Sequence, residues 1–136
     1  MRNLTNKTYV LIIEDEIEIS NMISEEFQAL GHITVQAESL NEAMSKASNQ
    51  EFSVIVLDMK LKKGSGDEFV KNIRSDKKHI NFSSPIVVAS GCLTGSILSE
   101  ISGDISHAFV KPYDMGNLVK KCEELMAASA SDSAAA

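Results

Sequence analysis

A chain of 136 residues, 43% hydrophobic and 24% charged, has the length of one domain and enough apolar content to bury a core, which excludes a disordered, charge-dominated polymer. Thirteen basic residues against nineteen acidic ones leave a formal net charge of −6, so no overall field draws the chain to nucleic acid or to anionic lipid. Cys92 and Cys122 form no CxxC or Cys/His cluster, and no apolar run reaches the ~20 residues of a membrane span or the ~7–15 of a signal-peptide core, which points to a reduced, cytoplasmic protein without a membrane segment.

The first β-rich run is Tyr9–Ile13, and the spacing of Ile19, Met22, Ile23, Phe27 and Leu30 after it predicts an amphipathic helix that Gly31 ends. Thr34–Ala37 is a second strand, followed by a helix through Leu40, Ala43, Met44 and Ala47 that opens on the capping pattern Ser39 with Glu42. Ser53–Leu57 is the third strand, and Phe69, Val70 and Ile73 mark the third helix. Ile86–Ala89 follows, then a weaker helical stripe of Ile97, Leu98 and Ile101. Ala108–Val110 is the last strand, and Leu118, Val119, Cys122, Leu125 and Met126 form the stripe of a fifth helix that Asp114 caps behind Pro112.

The first, third and fourth strands are almost wholly apolar, as strands covered on both sheet faces must be. Five βα repeats with short connections therefore predict an α/β fold: a five-stranded parallel sheet, doubly wound, with helices on both faces and 2-1-3-4-5 as the leading strand order. Residues 1–126 make up this domain, and the Ala/Ser-rich 127–136 reads as a disordered end or a linker.

The chemistry stands at the strand ends. Glu14, Asp15 and Glu16 follow the first strand, Asp58 the third, Ser90 the fourth and Lys111 the fifth, and in a parallel sheet these ends share one edge. Ligands of such sheets bind at that edge where the strand order reverses, between the first and third strands, so Asp15 and Asp58 flank the crevice. Glu14, Asp15 and Asp58 repel one another unless a cation joins them, and an oxygen-only donor set suits Mg²⁺. A carboxylate can attack phosphorus to give an acyl phosphate, with Lys111 and the metal neutralising the phosphoryl oxygens. Ser90 adds a hydroxyl, and Gly91 beside it leaves room. Taken singly, an acid after a strand is usually a solvated charge favoured by the helix dipole, and a Lys-Pro pair is usually a turn; their joint placement is what carries weight.

Val10-Leu-Ile-Ile-Glu14-Asp15-Glu16, Val54-Ile-Val-Leu-Asp58, Gly66, Pro85-Ile-Val-Val-Ala-Ser90-Gly91 and Phe109-Val-Lys111-Pro112 together resemble the receiver domain of response regulators, the chemotaxis-type single-domain regulators among them, from Tyr9 to about Met126. The resemblance implies the flavodoxin-like arrangement and a two-component phosphorelay switch rather than an enzyme. Asp58 would take a phosphoryl group from a sensor histidine kinase or a phosphotransfer protein. Asp15, Asp58 and the backbone carbonyl of Lys60 would bind Mg²⁺ with help from Glu14, while Ser90 and Lys111 held the phosphoryl oxygens. It also implies a downstream protein partner on the face of the fourth helix, fifth strand and fifth helix, and a cis Lys111-Pro112 bond.

Three positions depart from the family pattern. Lys62 stands where a proline is usual, Ala108 stands where a switch aromatic is usual, and Asp76 to Ser84 adds a polar insertion expected to form a surface loop. Ala108 motivates a second reading, a pseudo-receiver acting as a constitutive interaction scaffold. An aspartyl-phosphate phosphohydrolase is less consistent, since the acids after the first strand read Glu14-Asp15-Glu16 and not DxD. A flavin protein fits worse, because three acids repel phosphate.

Overall fold

A computed structural model of the chain describes residues 8–91 and 94–135. Strands β1 (Tyr9–Ile13), β2 (Ile33–Ala37), β3 (Val54–Leu57), β4 (Ile86–Ser90) and β5 (His107–Val110) alternate with helices α1 (Ile17–Ala29), α2 (Leu40–Asn49), α3 (Gly66–Arg74), α4 (Gly95–Ile101) and α5 (Met115–Ala135). The strands form one parallel sheet in the order β2-β1-β3-β4-β5, the doubly wound arrangement expected from the sequence. Predicted strand limits hold to within one residue.

The two-residue period of the central strands sorts their side chains between two cores. Leu11, Ile13, Ile55, Leu57, Ile86 and Val88 turn to one face and pack with Ala43, Ala47, Phe69, Val70, Ile73 and Ile101 of α2, α3 and α4. Val10, Ile12, Val54, Val56, Val87 and Ala89 turn to the other, against Ile23 and Phe27 of α1 and Leu118, Val119, Cys122 and Met126 of α5. Burying each large side chain of these layers contributes about 1.5–3 kcal/mol relative to exposure. The layers fix the sheet edge that carries the site.

Local chemistry begins and ends the helices where the sequence places their caps and stops. Gly31, at φ 92°, closes α1: its N–H donates to Gln28 O and that of His32 to Phe27 O, so the last turn's carbonyls are satisfied. Ser39 Oγ accepts from Glu42 N at 3.2 Å at the start of α2, and the Glu42 carboxylate accepts from Glu38 N at 2.8 Å. Asp114 Oδ1 accepts from Asn117 N at 3.0 Å at the start of α5. α5 continues through the alanine-rich stretch read from composition as a disordered end and is helical as far as Ala135, in keeping with the high helix propensity of alanine.

The insertion is more than a surface loop. Asn81 is fully buried: its Oδ1 accepts from Phe52 N at 2.7 Å and from Ser84 Oγ at 2.9 Å, and its Nδ2 donates to Ala47 O and Gln50 O. The half-buried Arg74 guanidinium donates to Phe82 O and Ser84 O, both at 2.7 Å, and to Asp104 O at 2.9 Å. One amide and one guanidinium thus tie the segments before β3, β4 and β5 together at the end of the sheet opposite the acids. Asn81→Ala leaves the Phe52 N–H and the Ala47 carbonyl without their partner in a dry site, and the expected cost is about 2–4 kcal/mol. Urea unfolding followed by circular dichroism checks this; a loss below about 0.5 kcal/mol would contradict the assignment.

Candidate functional site

Glu14, Asp58 and Lys111 each sit one residue past a strand, where the ladder still holds the backbone. Glu14 N donates to Ala37 O at 3.0 Å, Asp58 N to Ile13 O at 2.9 Å, and Lys111 N to Ser90 O at 3.0 Å. The side chains therefore leave the sheet from fixed points on one edge. Glu14 and Asp58 are buried, with 3% and 5% of their surface exposed, and Asp15 is half-buried beside them.

Lys111 connects the acids. Its Nζ lies 3.0 Å from Glu14 Oε1 and 3.3 Å from Asp58 Oδ2, while Asp58 Oδ1 accepts from Lys60 N at 3.1 Å. The Lys111-Pro112 bond is cis, as the resemblance implies. Glu14 Oε2 in turn accepts from Glu16 N at 3.2 Å. Carboxylate oxygens of Glu14, Asp15 and Asp58 all lie within 4.8 Å of one another, and an oxygen-only set of this kind fits a hard divalent cation such as Mg²⁺. An open cleft of about 520 Å³ rises over them, lined by Asp15, Glu16, Asp58, Lys60, Leu61, Lys62, Ser90, Gly91 and Lys111. Every site residue predicted from the sequence is therefore at this edge, including Ser90, which is fully buried beneath the cleft. Cys92 lies outside the described residues.

Two glycines hold the β3–α3 loop against the site. A Cβ on Gly66 would stand 2.7 Å from both Asp58 O and Met59 Cα, so only glycine lets the start of α3 approach the backbone of Asp58. Gly64, at φ 86°, presses on Leu40, whose N–H donates to Lys63 O at 3.0 Å. Gly91 differs: a Cβ there would meet Lys111 Cβ and Cδ at 3.8 and 3.9 Å, ordinary contact, so the space beside Ser90 does not depend on glycine.

Ala108 turns towards the α4 side of the sheet, packed with the core that includes Ile97 and Ile105. The rings on either side of it do not replace the missing aromatic: His107 and Phe109 project to the opposite face, their centroids 4.7 Å apart, with Tyr113 next in line at 6.2 Å from Phe109. Tyr113 was not singled out in the sequence, because nothing local shows that the turn after Pro112 folds back against Phe109.

This fold and this site define a class, in which a parallel α/β sheet presents an acid cluster, a buried hydroxyl and a lysine at one edge. The sequence profile of the response regulator receiver domain matches residues 10–123, and the chain belongs to that family. It is 24% identical over 128 residues to the Campylobacter jejuni chemotaxis protein CheY homolog, an alignment covering 93% of this chain and 98% of that one. It is 28% identical over 109 residues to sporulation initiation phosphotransferase F of Bacillus subtilis, covering 80% and 86%. Among solved structures, Vibrio cholerae chemotaxis protein CheY4 superposes with a TM-score of 0.78 at 26% identity, covering 88% of this chain and 99% of that one. Receiver domains are phosphoacceptor signalling domains of two-component systems that work with histidine kinases or phosphotransfer proteins. No helix among the described residues is long and apolar enough to cross a membrane.

Burial, and after it the hydrogen bond with Asp58, pushes the Glu14 carboxyl up to about 7 against the pull of Lys111. Lys111 is itself raised: burial lowers it, but its hydrogen bonds and charge interactions with Glu14 and Asp58 outweigh that. Without metal, Glu14 keeps its proton in the folded state up to about 7, whereas the unfolded chain releases it near 4.5. The native state thus binds more protons across that window, and stability falls as pH rises through it, by about 1–3 kcal/mol. Lys111 stays charged throughout this window and adds no slope. Urea midpoints of the metal-free protein at pH 5 and pH 7.5 are expected to differ by more in the wild type than in Glu14→Gln; equal differences would remove Glu14 as the source.

Proposed function

We propose that this protein is a phosphorylation-activated switch in which Asp58 accepts a phosphoryl group from a phosphohistidine of a sensor kinase or a phosphotransfer protein. The observation that carries the reading is the Lys111 ammonium held between Glu14 and Asp58 in a cleft that also reaches Ser90. Asp58 offers a carboxylate oxygen to phosphorus, and its neighbours are suited to the charge that follows. Lys111 stands within an ion-pair distance of the reacting group, and the Ser90 hydroxyl supplies a donor from the adjacent strand end.

Glu14, Asp15 and Asp58, with the backbone carbonyl of Lys60, would hold Mg²⁺. When bound, the metal neutralises the two or three acids and the developing charge on the phosphoryl oxygens. The domain assists its own phosphorylation and the slow loss of the group, and it turns over no separate substrate. The readout is a protein partner on the face formed by α4, β5 and α5, where His107 and Val110 are exposed. No nucleic acid and no membrane is engaged by this chain. The working unit is residues 1–126, and the compartment is the cytoplasm, in keeping with cysteines that form no cluster.

Ala108 favours one alternative, a scaffold that binds its partner without phosphorylation. The two readings separate on one experiment. With Mg²⁺ and acetyl phosphate, intact-mass spectrometry is expected to show one added phosphoryl group on the wild type and none on Asp58→Asn, with beryllofluoride shifting amide resonances near Asp58 in the wild type alone. Equal responses from both proteins would falsify the switch and favour the scaffold.

A further inference from the structure

The cleft over Asp58 is lined by three acids, Asp15, Glu16 and Asp58, and three cations, Lys60, Lys62 and Lys111. A phosphoryl donor arrives as an anion and must enter past the acids, so the cations that remain available decide its local concentration. Lys111 is already engaged by Glu14 and Asp58. Lys60 and Lys62 form no ion pair among the described residues.

Lys60 and Lys62 are both exposed; Lys60 stands at the base of the loop, its N–H on Asp58 Oδ1, and Lys62 further along it, with backbone held on both sides. Leu61 before it is buried, with 8% of its surface exposed. Lys63 after it gives its carbonyl to Leu40 N at 3.0 Å, and Gly64 is seated on Leu40 in a left-handed conformation. Gly66 N donates to Met59 O at 2.9 Å, and Lys60 bridges Ser65 across the base of the loop. The loop is thus clamped at its base and at its far side, and Lys62, exposed and without an ion pair among the described residues, is one of the residues that line the cleft. A lysine here, in a chain of net charge −6, offsets repulsion that the rest of the molecule imposes on a dianion.

We propose that Lys62 is a donor-recruiting residue of the phosphorylation reaction, drawing small dianionic acyl phosphates to the cleft by its charge. The proposal rests on Asp58 being the phosphoacceptor. In the step it serves, an Asp58 carboxylate oxygen forms the new bond to phosphorus while the bond from phosphorus to the acyl oxygen breaks. The carboxylate of the donor leaves with that electron pair, and no proton need move.

The test is the second-order rate constant for phosphorylation of the full chain by acetyl phosphate with Mg²⁺, followed by intact mass at low and at high ionic strength. Wild type is compared with Lys62→Gln, Lys62→Glu and, as a control for net charge, Lys77→Glu, which alters an exposed residue far from the cleft. At low salt Lys62→Glu is expected to react about three- to ten-fold more slowly, Lys62→Gln to fall between it and the wild type, and Lys77→Glu to match the wild type. Near 1 M salt, where screening reaches ~3 Å, the differences are expected to shrink towards unity. Unchanged rates for both Lys62 variants, or an equal loss in Lys77→Glu, would overturn the role of Lys62 and leave the phosphoacceptor assignment standing. A wild type that gains no phosphoryl group would overturn both.

Discussion

The organising constraint of this molecule is the forced proximity of Glu14 and Asp58, two buried carboxyl groups on neighbouring strand ends. Like charges about 4 Å apart in a medium of effective dielectric ~20 repel by roughly 4 kcal/mol, and neither group can retreat. The backbone of Glu14 is tied to Ala37 and that of Asp58 to Ile13, so relief must come from a proton, from Lys111 or from a cation. The protein uses the first two at once: Glu14 is driven towards its neutral form, and the Lys111 ammonium touches both acids.

The rest of the fold divides into parts that hold this edge and parts that are free to respond to it. The sheet and both cores are closely packed, and the Asn81 and Arg74 bonds fasten the far end of the sheet. The β3–α3 loop is fixed to the site by glycines. α4 is held more lightly: Ile101 is its buried residue, Lys71 pairs with Glu100 across to α3, and Thr94 Oγ1 caps its start. Small, weakly buried elements of this kind have low local opening energies. Beside it Ala108 packs with the aliphatic Ile97 and Ile105, and no ring stands at that position.

Much of the fold could be read along the chain because its signals are local. The near-continuous apolar strands, the helical stripes, the stop at Gly31 and the N-terminal caps at Ser39 and Asp114 depend on a few consecutive residues each, and all appear in the structure. The burial of Asn81 could not be read this way. An asparagine in a polar insertion has the composition of a surface loop, and its partners at Ala47, Gln50 and Phe52 are some thirty residues away. Gly66 was visible as a residue, but the close approach to Asp58 that requires it exists only after α3 docks on β3.

The sequence by itself determined the element order, the identity of the acids, serine and lysine at the strand ends, and, through them, membership of the receiver-domain family. Hydrophobic periodicity and strand-end position are properties of short stretches of chain, so no folding was needed to see them. Only the tertiary structure decided that Lys111 spans Glu14 and Asp58, and that burial beside Asp58 pushes the Glu14 carboxyl up to about 7. Those facts depend on distances between residues up to 97 positions apart and on the solvent excluded between them, and neither is encoded in any local pattern.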